Sequence, residues 1–223
     1  MALDTATATC SVAVVTDNGV VAEITDHGGN SHARKLLVLI KNVLRRACVT
    51  VGELDGFGVT VGPGSFTGLR IGISSAQGLA TAAGKPAVGI SSLEALARQA
   101  MGTRLRCAML DARRKEVYAA VFSPSNNSVL IESPERVASP EALMPDLPAG
   151  CIYVGNGAVL YRDVILRHDP TAMFTEDDNA NTISAVTVGR LTIEIMNRSG
   201  GGTLPLPTPR YIRRSDAERN RNH

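Results

Sequence analysis

Gly62-Pro63-Gly64-Ser65-Phe66-Thr67-Gly68-Leu69-Arg70-Ile71-Gly72 closes a short apolar run, Gly56 to Val61, and opens a segment rich in small side chains. The run predicts a buried strand and the segment after it, from about Thr67 to Ala83, a helix. Such a junction matters because the first turn of a helix has unpaired N–H groups and partial positive charge. Glycines just before it let a backbone, a phosphate or a carboxylate come close. The stretch is either a binding surface or an ordinary strand-to-helix loop, and the rest of the chain must decide between them.

In a helix interior Gly68, Gly72 and Gly78 each cost about 1 kcal/mol against alanine, roughly 3 kcal/mol together, so something must offset them. Gly68, Gly72, Ala76, Ala80 and Ala83 fall close to one face at three- and four-residue spacing. That pattern predicts close approach of a neighbouring helix, within the chain or across a subunit boundary. Another helix is predicted from the capping residue Ser31 to about Cys48. Its Leu36, Leu37, Leu39, Ile40, Val43, Leu44 and Ala47 spread over one wide arc, while Val38 sits opposite among Arg34, Lys35, Arg45 and Arg46. This is more apolar surface than one sheet face needs, and a partner helix can use the excess.

Upstream, Val12 and Val14, then Val20, Ala22 and Ile24, alternate around Asp17-Asn18-Gly19, a hairpin signal. The run into Asp4, only Met1 to Leu3, predicts an abbreviated sheet edge or a start codon further upstream. Downstream, Pro86 to Ile90 reads as a strand, and Ser91 with Glu94 as a capping box for a helix to about Ala100. Leu105 to Leu110, a turn at Asp111 to Lys115, and Glu116 to Phe122 then echo the opening of the chain. Leu3-Asp4-Thr5-Ala6 and Leu110-Asp111-Ala112-Arg113 each place an Asp where an apolar strand ends, which predicts two related lobes facing one cleft. A strand at Val129 to Ile131, a helix start at Ser139-Pro140, a strand at Cys151 to Val154 before Gly155-Asn156-Gly157, and a helix from Thr182 to Met196 follow. Gly200-Gly201-Gly202 and Pro205, Pro207 and Pro209 read as an extended connector to Arg210-Tyr211-Ile212-Arg213.

A chain of 223 residues, 44% hydrophobic and 20% charged, reads as a folded protein that buries a sizeable core. No window approaches a membrane span, and Met1-Ala2-Leu3-Asp4 lacks the basic and apolar regions of a secretory signal, so a cytoplasmic location is expected. Cys10, Cys48, Cys107 and Cys151 form no C-x-x-C pair, which predicts reduced thiols and no zinc site. The net charge of +2 gives no global field for nucleic acid. The basic cluster Arg210, Arg213, Arg214, Arg219 and Arg221 reads as a solvated end.

Four ordered motifs carry a resemblance over most of the chain: Leu3-Asp4-Thr5-Ala6-Thr7; Gly62 to Gly72 with Ala76-Gln77-Gly78-Leu79-Ala80; Asp111-Ala112-Arg113 with Glu116-Val117-Tyr118; and Pro209-Arg210-Tyr211-Ile212-Arg213. With these the chain resembles the TsaB (YeaZ) family, the non-catalytic companions of the tRNA threonylcarbamoyl transferase TsaD. The resemblance implies an α/β, actin/sugar-kinase-like fold of two related lobes, each a mixed β-sheet with flanking helices. The expected division is 1–103 and 104–223, with 205–223 an extended or mobile tail. It further implies a scaffold that docks on TsaD, helps recruit the P-loop ATPase TsaE, and serves modification of the adenosine next to the anticodon of ANN-decoding tRNAs from threonylcarbamoyl-adenylate made elsewhere. Pairing with itself in isolation is also expected. The implied partner face comprises Leu36, Leu39, Ile40, Val43, Gly68, Arg70, Gly72, Ser75, Ala76 and Leu79. A vestigial nucleotide cleft would hold Asp4, Thr5, Gly62, Gly64, Ser65, Asp111 and Arg113.

In the catalytic paralogue the segment resembling Val88 to Leu96 carries a His-x-x-x-His metal pair. Here those places are Ser92 and Leu96, and a hydroxyl and an isobutyl group do not hold a divalent ion, so no catalytic residue, metal or cofactor is expected. Gly78 to Gly84-Lys85-Pro86 mimics a phosphate loop but ends a helix instead of starting one, which predicts a C-cap. Gly62-x-Gly64-x-x-x-Gly68 approximates a dinucleotide fingerprint, yet Ser91 and Ser92 stand where the acidic ribose ligand belongs. Ser65 lacks a nucleophile-elbow frame and reads as a helix cap, and His27 with His32 lacks a third ligand. The competing reading is a stand-alone ATP-dependent kinase or metalloprotease-like enzyme of the same superfamily.

Overall fold

The computed structural model describes residues 1–28, 32–125, 128–175 and 177–213. Strands β1 (Ala2–Asp4), β2 (Cys10–Thr16) and β3 (Gly19–Asp26) precede helix α1 (His32–Ala47). Then come β4 (Phe57–Gly62), α2 (Phe66–Ala83), β5 (Ala87–Ser91) and α3 (Ser92–Gln99). The second half contains β6 (Arg106–Asp111), β7 (Val117–Ser125), β8 (Ser128–Ile131), β9 (Arg136–Ala138), α4 (Pro140–Leu143), β10 (Ile152–Val154), α5 (Asn156–Leu160), α6 (Arg162–His168), β11 (Met173–Phe174) and α7 (Ala185–Ser199).

The first sheet has the order β3-β2-β1-β4-β5, with β1 antiparallel to β2 and parallel to β4. The second reads β8-β7-β6-β10-β11, with β6 antiparallel to β7 and parallel to β10, and β9 paired to β7. Strand for strand this is the same arrangement, so the echo between Asp4 and Asp111 reflects two copies of one topology. β1 is short but central, which corrects the expectation of an abbreviated sheet edge. Its Leu3 lies between Val12 and Val59 in register and is fully buried, so the middle of the sheet is apolar on both faces.

The two halves share a core. Leu93, Leu96, Ala97 and Ala100 of α3 and its end join β1 and β4 residues with Ala108, Leu110, Phe122, Ile152 and Val154 of the second sheet in one cluster. A smaller cluster, including Tyr153, Met109 and Ile165, fills the outer face of that sheet. Helix α7 follows the second sheet in sequence but packs on β1, β2, β4 and β5 of the first. Two glycines permit that crossing: a Cβ on Gly58 would stand 1.9 Å from Thr192 Oγ1, and one on Gly189 2.5 Å from Val15 Cγ2.

Local chemistry sets most helix ends where the sequence places them. Ser65, Ser91 and Ser139 each accept from the backbone N–H three residues on, capping α2, α3 and α4. Gly84, at φ 64°, ends α2 by donating to Ala80 O and Thr81 O, the C-cap expected there. The cap expected from Ser31 and the basic residues Arg214, Arg219 and Arg221 lie outside the described residues. α7 starts three residues later than expected, because Ser184 supplies its cap by accepting from Val186 N at 3.1 Å.

Gly78 differs from the other glycines of α2. Nothing lies within 4 Å of a Cβ built there, and its φ is negative. Gly78→Ala is therefore expected to stabilise the chain by about 1 kcal/mol through helix propensity alone, read as a higher urea midpoint at unchanged slope.

Candidate functional site

The glycines of the 62–72 stretch are met by the chain's own atoms. A Cβ on Gly64 would stand 2.3 Å from Ala6 O, on Gly68 2.1 Å from Thr5 O, on Gly72 2.3 Å from Thr5 Oγ1, and on Gly62 2.5 Å from Arg210 O. Ser65 N donates to Ala6 O at 2.7 Å and Thr5 Oγ1 donates to Gly68 O at 2.7 Å. The close neighbour of Gly68 and Gly72 is thus the end of β1 and not a helix, which corrects the expectation drawn from the small-residue face. A strand end brings only backbone and one short side chain, so it nests more closely than any helix could.

Asp4 lies in this packing and is fully buried. Its Oδ1 accepts from Thr60 Oγ1 at 2.7 Å and from Ala6 N at 3.1 Å, while Oδ2 has no partner among the described residues. Burial pushes its pKa up to about 7, against the opposing pull of hydrogen bonds from Thr60, Ala6 and Thr5.

The second lobe repeats the device. Gly155, at φ 108°, would place a Cβ 2.2 Å from Met109 O, and Gly157 one 2.9 Å from the Leu110 carbonyl carbon. Here too the end of the first strand is pressed onto a glycine loop that leads from a parallel strand into a helix. Asp111 N donates to Asn156 Oδ1 at 3.0 Å, and Asp111 Oδ1 accepts from Arg113 N at 2.8 Å. Arg113, Arg114 and Lys115 then turn the chain at φ 62°, 55° and 60°, a left-handed run of non-glycine residues with no signal in the sequence. The proposed cleft residues therefore form two clusters, one per lobe: Asp4, Thr5, Gly62, Gly64 and Ser65, and separately Asp111 with Arg113.

Of the implied partner face, Leu36, Leu39, Ile40 and Val43 are core residues, with Leu36 and Val43 at 0% exposure. This corrects their assignment to a partner. α1 lies across both β2 and β3, and covering two strands consumes the wide apolar arc. Gly68, Gly72 and Ala76 are likewise buried within the chain. What α1 leaves outside is Leu37 and Val38, 64% and 57% exposed. On α2, Arg70 is exposed and Ser75 and Leu79 are half-buried. Ser92 and Leu96, at the places of the paralogue's imidazoles, are both fully buried.

The terminal segment departs furthest from expectation. Arg210 and Arg213 are not a solvated end: Arg213 pairs with Glu116 and donates to Ala112 O at 2.7 Å, and Arg210 lies 3.3 Å from Glu135. The proline run signals their extended approach, but Glu135 sits in a loosely patterned stretch that offers no signal of its own.

A sequence model of the family described as TsaD, tRNA N6-adenosine threonylcarbamoyltransferase, matches residues 9–221. The tRNA threonylcarbamoyladenosine biosynthesis protein TsaB of Escherichia coli (strain K12) is 34% identical over 171 residues, covering 74% of each chain. A crystal structure from Pseudomonas aeruginosa, of a protein with similarity to peptidase YEAZ, superposes with a TM-score of 0.80 at 28% identity, over 95% of this chain and 98% of that one. The ROK hexokinase of Thermus thermophilus superposes with a TM-score of 0.50 at 13% identity, over 86% of this chain and 98% of that one. At that distance the likeness shows the actin/sugar-kinase-like fold alone. Residues 9–221 hold both glycine loops, the strand end at Asp111 and the terminal Arg-Tyr-Ile-Arg, and on these matches the chain belongs to the TsaB (YeaZ) group of the TsaD family.

Proposed function

We propose that this chain is a non-catalytic subunit in tRNA threonylcarbamoyladenosine biosynthesis: a cytoplasmic scaffold that docks on a catalytic TsaD-type paralogue, helps it recruit the ATPase TsaE, and pairs with itself when alone. One observation carries the reading. The glycine junction that would cradle a phosphate is filled by Ala6 O, Thr5 O and Arg210 O, so its tight geometry serves the fold and leaves little backbone for a ligand. Ser92 and Leu96 support it, since neither is a metal ligand of the imidazole kind and both are sealed in the core. The surface that remains to be offered is the outer side of α1 and α2, with Leu37, Val38, Arg70, Ser75 and Leu79. No described helix is long and apolar enough to cross a membrane.

The test is reconstitution with the purified paralogue. Leu37→Glu with Val38→Glu places two charges on an exposed helix face, so the fold should survive while co-purification falls by about tenfold or more. Formation of the modified nucleoside should fall with it. Unchanged assembly moves the docking face elsewhere, and unchanged modification without the chain removes the proposed role. Phosphoryl transfer by the isolated chain, or one tightly held zinc or iron, would favour the stand-alone enzyme.

A further inference from the structure

The last described residues form three mechanically different pieces. Gly200 and Gly201, at φ 56° and 85°, follow α7 with nothing within 4 Å of a Cβ at either, which makes a pliant joint. Pro205, Pro207 and Pro209 then stiffen an arm with no regular secondary structure, whose conformational freedom is already low before it docks. The end of the arm is bonded to both lobes.

On the first lobe Pro207 O accepts from Gln77 Nε2 at 2.8 Å, Arg210 N donates to Val61 O at 2.7 Å, and Tyr211 stacks on Phe66 with centroids 4.9 Å apart. Arg70 adds a hydrogen bond to Tyr211 Oη at 2.9 Å. On the second lobe Arg213 holds Ala112 O and Glu116 at the β6–β7 turn. Arg210 reaches Glu135, which also accepts from Ser91, the cap of α3. The anchors thus lie beside the carboxyl ends of β4 and β6, the edge of an α/β sheet where crevices open.

We propose that residues 205–213 are a latch that ties the two lobes together, hinged at Gly200–Gly201 and released as one unit. The segment combines few backbone bonds, an exposed Tyr211 and Arg210, and a glycine joint, the marks of a low-energy local opening. Because the arm is stiff, losing one anchor loosens the other.

Hydrogen exchange on the full chain tests this with Arg213→Ala, which removes the second-lobe contacts to Ala112 O and Glu116 and leaves the Arg210–Glu135 pair and the first-lobe contacts in place. The latch requires exchange to rise by about tenfold both at 112–117 and, on the other lobe, at 62–66, with the β2–β3 hairpin unchanged. A rise confined to 112–117 overturns it, as does no rise at all. Tyr211→Ala, a change at an exposed ring, provides the reciprocal measurement if Arg213→Ala proves unstable: it must loosen 112–117, and a purely local effect at 62–66 refutes the latch. Neither readout needs the paralogue, so this inference stands or falls apart from the proposed function.

Discussion

Gly68→Ala is expected to destabilise the protein by about 3 kcal/mol, although alanine is the better helix former. The new methyl would stand 2.1 Å from Thr5 O and 3.2 Å from Ser65 Cβ. The first obstacle is backbone at the end of a central strand, so no side-chain rotation relieves it, and overpacking of this kind costs about 1–3 kcal/mol. Moving α2 outward also weakens the buried bond from Thr5 Oγ1 to Gly68 O, worth about 1 kcal/mol, and disturbs the Ser65 cap. Against these stands a propensity gain of about 1 kcal/mol. Denaturant midpoints of Gly68→Ala and Gly78→Ala, two identical substitutions in one helix, should therefore move in opposite directions. If Gly68→Ala is neutral, α2 slides from Thr5 at no cost, and the small-residue face must be explained by a partner outside the chain.

That contrast also shows what the sequence made legible. The spacing of Gly68, Gly72, Ala76 and Ala80 revealed a close approach, because small side chains at helical spacing have few other uses. It could not reveal what approaches, since Thr5 lies 63 residues away in sequence and nothing local encodes the encounter. Caps were legible at Ser65, Ser91 and Gly84 because the bonded groups lie within a turn. The paired Asp4 and Asp111 segments disclosed the duplicated topology for a similar reason: each is a short local pattern, seen twice.

Long-range pairings were opaque. Arg213 and Glu116 are 97 residues apart, and a terminal arginine cluster has the same composition whether it is solvated or bonded. The wide arc of α1 was visible, yet its division between core and surface depends on how many strands the helix covers. Among the apolar side chains described on α1, Leu37 and Val38 remained outside, and the sequence grouped Leu37 with the buried side. The short helices α5 and α6, and the two-residue β11, fall below the length at which periodicity is readable.

Asp4→Asn is expected to stabilise the protein at pH 8 and to do little at pH 4. An ordinary aspartate titrates near 3.8, whereas burial holds the Asp4 carboxyl at about 7 in the fold. Between those values the folded chain keeps a proton that the unfolded chain has released, so stability falls as pH rises through this window and levels off above about 7. The rise from 3.8 to about 7, at about 1.4 kcal/mol for each tenfold change in proton affinity, bounds the loss at about 4 kcal/mol. Asparagine keeps the acceptor that Thr60 and Ala6 use and places an uncharged amide where Oδ2 has no partner, so it mimics the protonated acid at every pH. The unmatched amide costs about 1–2 kcal/mol, as the buried acid proton does, so the two offset each other and the gain at pH 8 should approach that bound of about 4 kcal/mol. Denaturation midpoints at pH 4, 6 and 8 check this, and a difference that does not grow with pH would show that Asp4 ionises at no cost to the fold. The same variant reports on function. If Asp4 is a relic of a nucleotide cleft, the reconstituted complex should form the modified nucleoside as well with asparagine as with aspartate. If modification collapses while the fold gains stability, the carboxylate is kept at its own expense for a magnesium-bound nucleotide, and the cleft of the first lobe is a working one.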